Sequence, residues 1–142
     1  MKRTLLLSCI VAIEVCAAFG QKISKPTLTP KPLTDSQRKL VREGIASHDA
    51  KKFDEAIAKY EAALSENPDA TLALYELALS QYTKGDKDKA IETALRGAKY
   101  RSPELALFYG TIANIIDDRG KPNEAIKIYR DALKILEGEP DM

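Results

Sequence analysis

His48 is the single histidine of a 142-residue chain, so acid-base chemistry or metal ligation there would need acidic or thiol partners supplied by the fold. Asp49, Asp117 and Asp118 are the acidic residues that could gather round a cation. Asp117 and Asp118, however, adjoin Arg119 at the end of a helical pattern, and no oxygen-rich loop of the calcium-binding kind follows. The two thiols, Cys9 and Cys16, both fall within the first 20 residues. No glycine-rich phosphate loop, nucleophile motif or basic-aromatic repeat for single-stranded RNA is present. The reactive side chains thus form no catalytic constellation. The sequence reads as a non-enzyme without cofactor or metal site, with His48 a surface or groove residue at a helix end.

The elements that carry these residues are amphipathic helices. Between Phe53 and Pro68, the residues Ala56, Ile57, Tyr60, Ala63 and Leu64 share one helix face. The pattern returns around Ala90 and again around Ala125, 34 and then 35 residues further on. Three units follow, at 37–70, 71–104 and 105–139. Small residues recur in their first helices (Gly44, Ala78, Ala113) and in their second (Ala56, Ala90, Ala125). Large positions recur as Leu40, Leu74 and Tyr109, with Tyr60 and Tyr129 in the second helices and Ala94 as a thinner middle copy. Gly85 and Gly120 stand between helices, Lys51 takes that place in the first unit, and Pro68 closes it.

This arrangement resembles the tetratricopeptide repeat family, whose period is about 34 residues. The resemblance implies an all-α fold, a right-handed α-solenoid of three helix-turn-helix repeats. The helical patterns place pairs at 35–49 with 53–66, 71–84 with 87–101, and 104–118 with 122–137. Thr34 and Gln37 form a capping-box pattern at the first start. Gly97 aligns with Ala63 and Ala132, so close helix packing accounts for it better than flexibility.

In that family the first helices line a concave groove that receives a peptide or helix. Carried onto this sequence, the groove residues are Arg38, Val41, Ile45 and His48, then Leu72, Tyr75, Leu79 and Tyr82, then Leu107, Gly110, Asn114 and Asp117. The resemblance thus implies a protein or peptide partner, hydrophobic or amphipathic, with Tyr75 and Tyr82 at the centre. Some family members grip acidic chaperone tails with a clamp of Lys, Asn and Arg. The matching places here hold Val41, Ile45, Glu76, Leu107 and Thr111, so that partner class is dropped.

Composition adds the setting. Formal charge is +1, and Met1–Gly20 carries Lys2, Arg3 and Glu14, so its removal leaves 20 basic and 20 acidic side chains. That balance gives no global drive toward nucleic acid or anionic lipid. Lys2 and Arg3, an apolar run from Leu5 to Ile13 and small residues up to Gly20 read as a signal peptide, and therefore as export to a periplasmic or extracellular space without a membrane span in the mature form. Residues 21–33, with Pro26, Pro30 and Pro32, read as an extended tether, and 140–142 as a tail. In the last helix Ala125, Ile126, Tyr129, Ala132, Leu133 and Leu136 are the expected inward face. Ile128 and Ile135 widen the apolar arc, forming a contact face for a partner or for a homodimer. The reading is an exported adaptor or assembly scaffold. A self-associating structural protein, or the start of a longer repeat protein, stand beside it as alternatives.

Overall fold

A computed structural model describes residues 23–138; the leader Met1–Gly20 and the tail 140–142 lie outside the described residues. Six helices follow in order: α1 (Asp35–Asp49), α2 (Phe53–Glu66), α3 (Thr71–Lys84), α4 (Lys87–Gly97), α5 (Leu105–Asp118) and α6 (Pro122–Glu137). They pack as three antiparallel pairs, α1 with α2, α3 with α4 and α5 with α6, and each second helix also packs on the first helix of the next pair. The result is an all-α solenoid.

Local chemistry sets the boundaries. Thr34 Oγ1 accepts from the Gln37 amide while the Gln37 side chain accepts from the Thr34 amide, so both halves of the capping box form. Asp54, Glu55, Asp88 and Glu124 occupy first turns of second helices, where the helix dipole favours negative charge. The turns inside each pair pass through left-handed backbone at Lys51, Gly85 and Gly120, with φ of 61°, 102° and 76°. Two of the three are glycine because a Cβ in that region costs about 1–2 kcal/mol, which Lys51 bears.

Helix α4 ends at Gly97 rather than reaching 101. The reason lies in the N-terminal segment, which does not stand clear as a tether. Residues 23–33 run extended across all three pairs as a strap. The Thr27 and Leu28 amides donate to the Lys99 carbonyl at 3.1 and 3.0 Å, and the Arg101 amide donates to the Leu28 carbonyl at 2.7 Å. Backbone spent on this short parallel bridge, Leu28 with Tyr100, is not free for helix. Toward the first pair, Asn67 Nδ2 donates to the Lys31 carbonyl at 3.4 Å. Toward the third, the Tyr109 hydroxyl donates to the Ser24 carbonyl at 3.2 Å. Burial pushes that phenol up to about 12, so it remains a donor at any physiological pH. Ile23 and Leu33 pack against the core.

The core is built where small residues let helices approach. Ala56, Ala78, Ala90, Ala113 and Ala125 are all buried. Tyr60 lies against Gly44, leaving no room for a Cβ there, and the Phe108 ring lies against Gly97 in the same way. In α2 the inward face is as the spacing predicts, with Ala56, Tyr60, Ala63 and Leu64 buried and Ile57 half-buried.

In α6 the inward face differs from expectation. Ala125 and Ala132 are buried and Ile128 and Ile135 are half-buried against the core, whereas Ile126, Tyr129, Leu133 and Leu136 are 44–55% exposed. Ile128 and Ile135 are therefore core, not a contact face. Their counterparts one and two units earlier show why. Lys59 binds Glu43 of α1 at 2.7 Å and Glu66 accepts from Gln37 at 3.5 Å, and Thr93 donates to Gln81 of α3 at 2.8 Å. These three reach back to the first helix of their own pair, while Tyr100, the other counterpart of Ile135, donates to Asp69 ahead of α3; the third pair has isoleucine at both places instead of polar bridges.

Candidate functional site

The three first helices carry the groove residues, and the structure divides them into distinct environments. Val41, at 2% exposure, is core and not lining. Ile45, Leu72, Tyr75, Leu79 and Tyr82 are half-buried, while Leu107, Asn114, Asp117 and Arg38 are exposed and Gly110 lies between. The apolar lining is thus concentrated on α3, flanked by Ile45 of α1 and Leu107 of α5.

His48 is a tie between pairs. Its Nδ1 lies 2.6 Å from Oγ of Ser80, a fully buried hydroxyl of α3, and its ring meets Phe53 edge-on at 5.2 Å. Replacing His48 with Ala should cost about 1–3 kcal/mol, since the buried Ser80 hydroxyl would lose this hydrogen bond and α1 would lose its tie to α3; urea denaturation checks this, and an unchanged midpoint refutes the tie.

The two tyrosines share a face of α3 as expected from their spacing, yet both are committed to α5. Tyr75 packs edge-on to Phe108 at 6.2 Å. The Tyr82 hydroxyl donates to Asp118 at 2.7 Å, and that bond, with Lys87 at 3.2 Å, holds the Asp118 carboxyl below its ordinary range. Asp118 therefore belongs to a link between pairs and not to a cation site with Asp49. Among the described residues no three His, Cys, Asp or Glu side chains come together in a way that could hold a metal ion.

Sequence reasoning named Glu76 only as a place where a clamp residue is missing. It sits on α3 one residue beyond Tyr75, half-buried, with no ion-pair partner among the described residues. Burial, and secondarily the negative charge of Asp49, raise its carboxyl above the ordinary value. An acid whose folded pKa exceeds its unfolded pKa binds protons more readily in the fold, so this group lowers stability as pH rises through that window. Glu76→Gln should therefore raise the thermal midpoint at pH 7, and the gain should shrink as pH falls toward 4. Scanning both proteins across that range tests the sign. The signal available in sequence was a lone acid among the apolar positions of the second unit's first helix.

A second concavity lies between α2, α3 and α4, floored by Leu64 and Leu77 and rimmed by Glu61, Lys89, Glu92 and Arg96. Its rim mixes both charges, and the Arg96 guanidinium is spent on the Pro68 carbonyl at 2.9 Å. No aromatic side chain lines it.

Comparison with known proteins agrees with this geometry. A tetratricopeptide repeat family model matches residues 42–106. The chain is 30% identical over 117 residues to the Hsp70-Hsp90 organising protein of Plasmodium falciparum (isolate 3D7); the match covers 78% of this chain but only 20% of that protein. Among solved structures, MamA aligns with a TM-score of 0.66 at 26% identity, over 73% of this chain and 60% of that one. The Yersinia enterocolitica type III secretion translocator chaperone SycD aligns at 0.67 and 18% identity, over 75% and 80%, which speaks to fold alone. No described helix is long and apolar enough to cross a membrane. Residues 42–106 thus carry the match to the tetratricopeptide repeat family, and they lie within a six-helix all-α solenoid.

Proposed function

We propose that this chain is an exported protein-binding module, an adaptor or assembly scaffold that holds a peptide or helix along the groove formed by α1, α3 and α5. The observation that carries this reading is Glu76: a half-buried carboxylate with no ion-pair partner among the described residues, beside Tyr75 and on the α3 face that also carries Leu72 and Leu79. Such a site favours a ligand that brings apolar side chains together with one donor or positive charge, because the ligand then pays back a desolvation the free protein already carries. The relative's name speaks of Hsp70 and Hsp90. In this chain Val41 is buried and Ile45 and Leu107 are apolar where a carboxylate clamp would need polar side chains, so the proposed partner belongs to another class.

A photo-crosslinking side chain placed at Leu79 should capture the partner from the native compartment, while one at Glu92, on the outer surface, should not. Glu76→Lys should cut the Leu79 yield by on the order of ten-fold or more by setting like charge against the ligand's cation. Equal yields from both positions would refute groove binding.

Export rests on the basic, apolar and small-residue order of Met1–Gly20. Intact mass of the protein from its native source should correspond to a chain starting at Gln21, and retention of Met1 would sink that part of the reading.

A further inference from the structure

Ile126, Tyr129, Leu133 and Leu136 recur along α6 at steps of three, four and three, which sets them in one line on the helix. Leu107 of α5, 47% exposed, adds to this surface, and the Tyr129 hydroxyl donates to Asn114, joining the two helices along it. Each such side chain is about half exposed, so together they present on the order of 400 Å² of apolar surface, within the range of functional patches.

The earlier pairs show what covers this face. Stepping back by 35 and 34 residues, Ile126, Tyr129 and Leu133 correspond to Ile91, Ala94 and Ala98 and to Ile57, Tyr60 and Leu64. Those residues lie beneath α5 and α3, and five of the six are buried. Gly110 holds the place of Tyr75 and Val41, and a Cβ built on it would meet nothing within 4 Å. Between α5 and α6 there is thus a trough with the form that seats a helix twice elsewhere in the same chain.

Its charge is particular to this end. Lys127, Arg130 and Lys134 form a second line beside the apolar one, all exposed and none in an ion pair among the described residues. The corresponding residues upstream are Glu92, Leu95 and Lys99, and Ala58, Glu61 and Ser65. A second copy docked by the same face about a two-fold axis would bring basic line against basic line. Docked head to tail, it would meet Arg38, Lys39 and Arg42 of α1, where Asp35 and Glu43 pair with the first two and leave Arg42 as the surplus positive charge. Either contact sets like charges together.

We infer that the α5–α6 end face docks an acidic amphipathic α-helix of a partner protein. That helix carries apolar residues where α5 sets Phe108 and Ile115 against α4, and Asp or Glu along the edge that meets Lys127, Arg130 and Lys134. The site adjoins the groove, meeting it at Leu107, Gly110 and Asn114, but its test uses none of the residues of the groove test.

Two synthetic peptides serve as probes. Both copy the face that α5 lays against α4, built on Phe108 and Ile115; one has Glu at every outward position, the other Lys. Fluorescence anisotropy with the whole chain should show the Glu peptide binding on the order of ten-fold or more tighter than the Lys peptide at low salt, with the preference shrinking at high salt. Leu133→Glu should abolish binding of the Glu peptide, and Arg130→Glu with Lys134→Glu should reverse the order of the two. Circular dichroism and the thermal midpoint should stay at wild-type values, because all three side chains are exposed. The inference is overturned if neither peptide binds, or if both bind alike. It is overturned equally by a wild type that sediments as a dimer which Leu133→Glu dissociates, or by phosphatidylglycerol vesicles displacing the Glu peptide from the wild type.

Discussion

A Gly97→Ala variant should be less stable than wild type by about 1–3 kcal/mol or more, the cost of forcing extra atoms into a packed core. The sign is informative, because glycine to alanine in a helix otherwise gains about 1 kcal/mol. Here the new methyl would fall within the ring of Phe108, a fully buried side chain held edge-on by Tyr75. Phe108→Ala alone should cost about 3–5 kcal/mol. The double variant should cost less than the sum of the two, since removing the ring makes room for the methyl. Urea denaturation of the four proteins closes the cycle; a stabilised Gly97→Ala would mean that α4 and α5 do not meet as described.

The second large effect concerns the strap. A chain beginning at Thr34 should be less stable than one beginning at Gln21 by about 2–4 kcal/mol. The truncation removes three backbone hydrogen bonds to the turn after α4 and those made by Tyr109 and Asn67, each worth about 0.5–1.5 kcal/mol net, against the order regained by a freed segment. It also uncovers apolar surface beneath Ile23 and Leu33. Thermal unfolding of the two chains decides the matter. Equal midpoints would restore the segment to the role of a spacer.

The repeat was legible because its period is written in residue size as well as polarity. Gly44 aligned with Ala78 and Ala113, and Gly97 aligned with Ala63 and Ala132, mark close approaches in the sequence, whereas the rings that fill them, Tyr60 and Phe108, are seen only in three dimensions. The extended backbone of residues 23–33 was legible too, from prolines that bar helix. Where that segment lies was not, because it is fixed by carbonyls such as Lys99 and Ser24, which every residue possesses. The face of α6 was misread for a different reason. In a second helix one apolar arc serves two neighbours, and hydrophobicity does not distinguish the half owed to its own pair from the half owed to the next. Polar bridges at Lys59 and Thr93 carried that information, but as pairings with Glu43 and Gln81 they become visible only in three dimensions. Among the groove residues that the family resemblance implies, Ile45, Leu72 and Leu79 are half-buried, Val41 sank into the core, and Glu76 stood out only once its burial was known.

A solenoid ordinarily contains only near-neighbour contacts, so its ends can fray while its middle persists. The strap changes that order of events. Arg101 and Tyr109 lie 75 and 85 residues downstream of the Pro26 and Ser24 carbonyls they bind. During synthesis the first two helix pairs can therefore form while this segment still hangs open, and it closes only after the third pair has been made. Once closed, it couples the first pair to the last, so neither end can peel away without breaking contacts at the other. Hydrogen exchange should accordingly find amides of α1 and α5 opening together rather than in sequence along the stack.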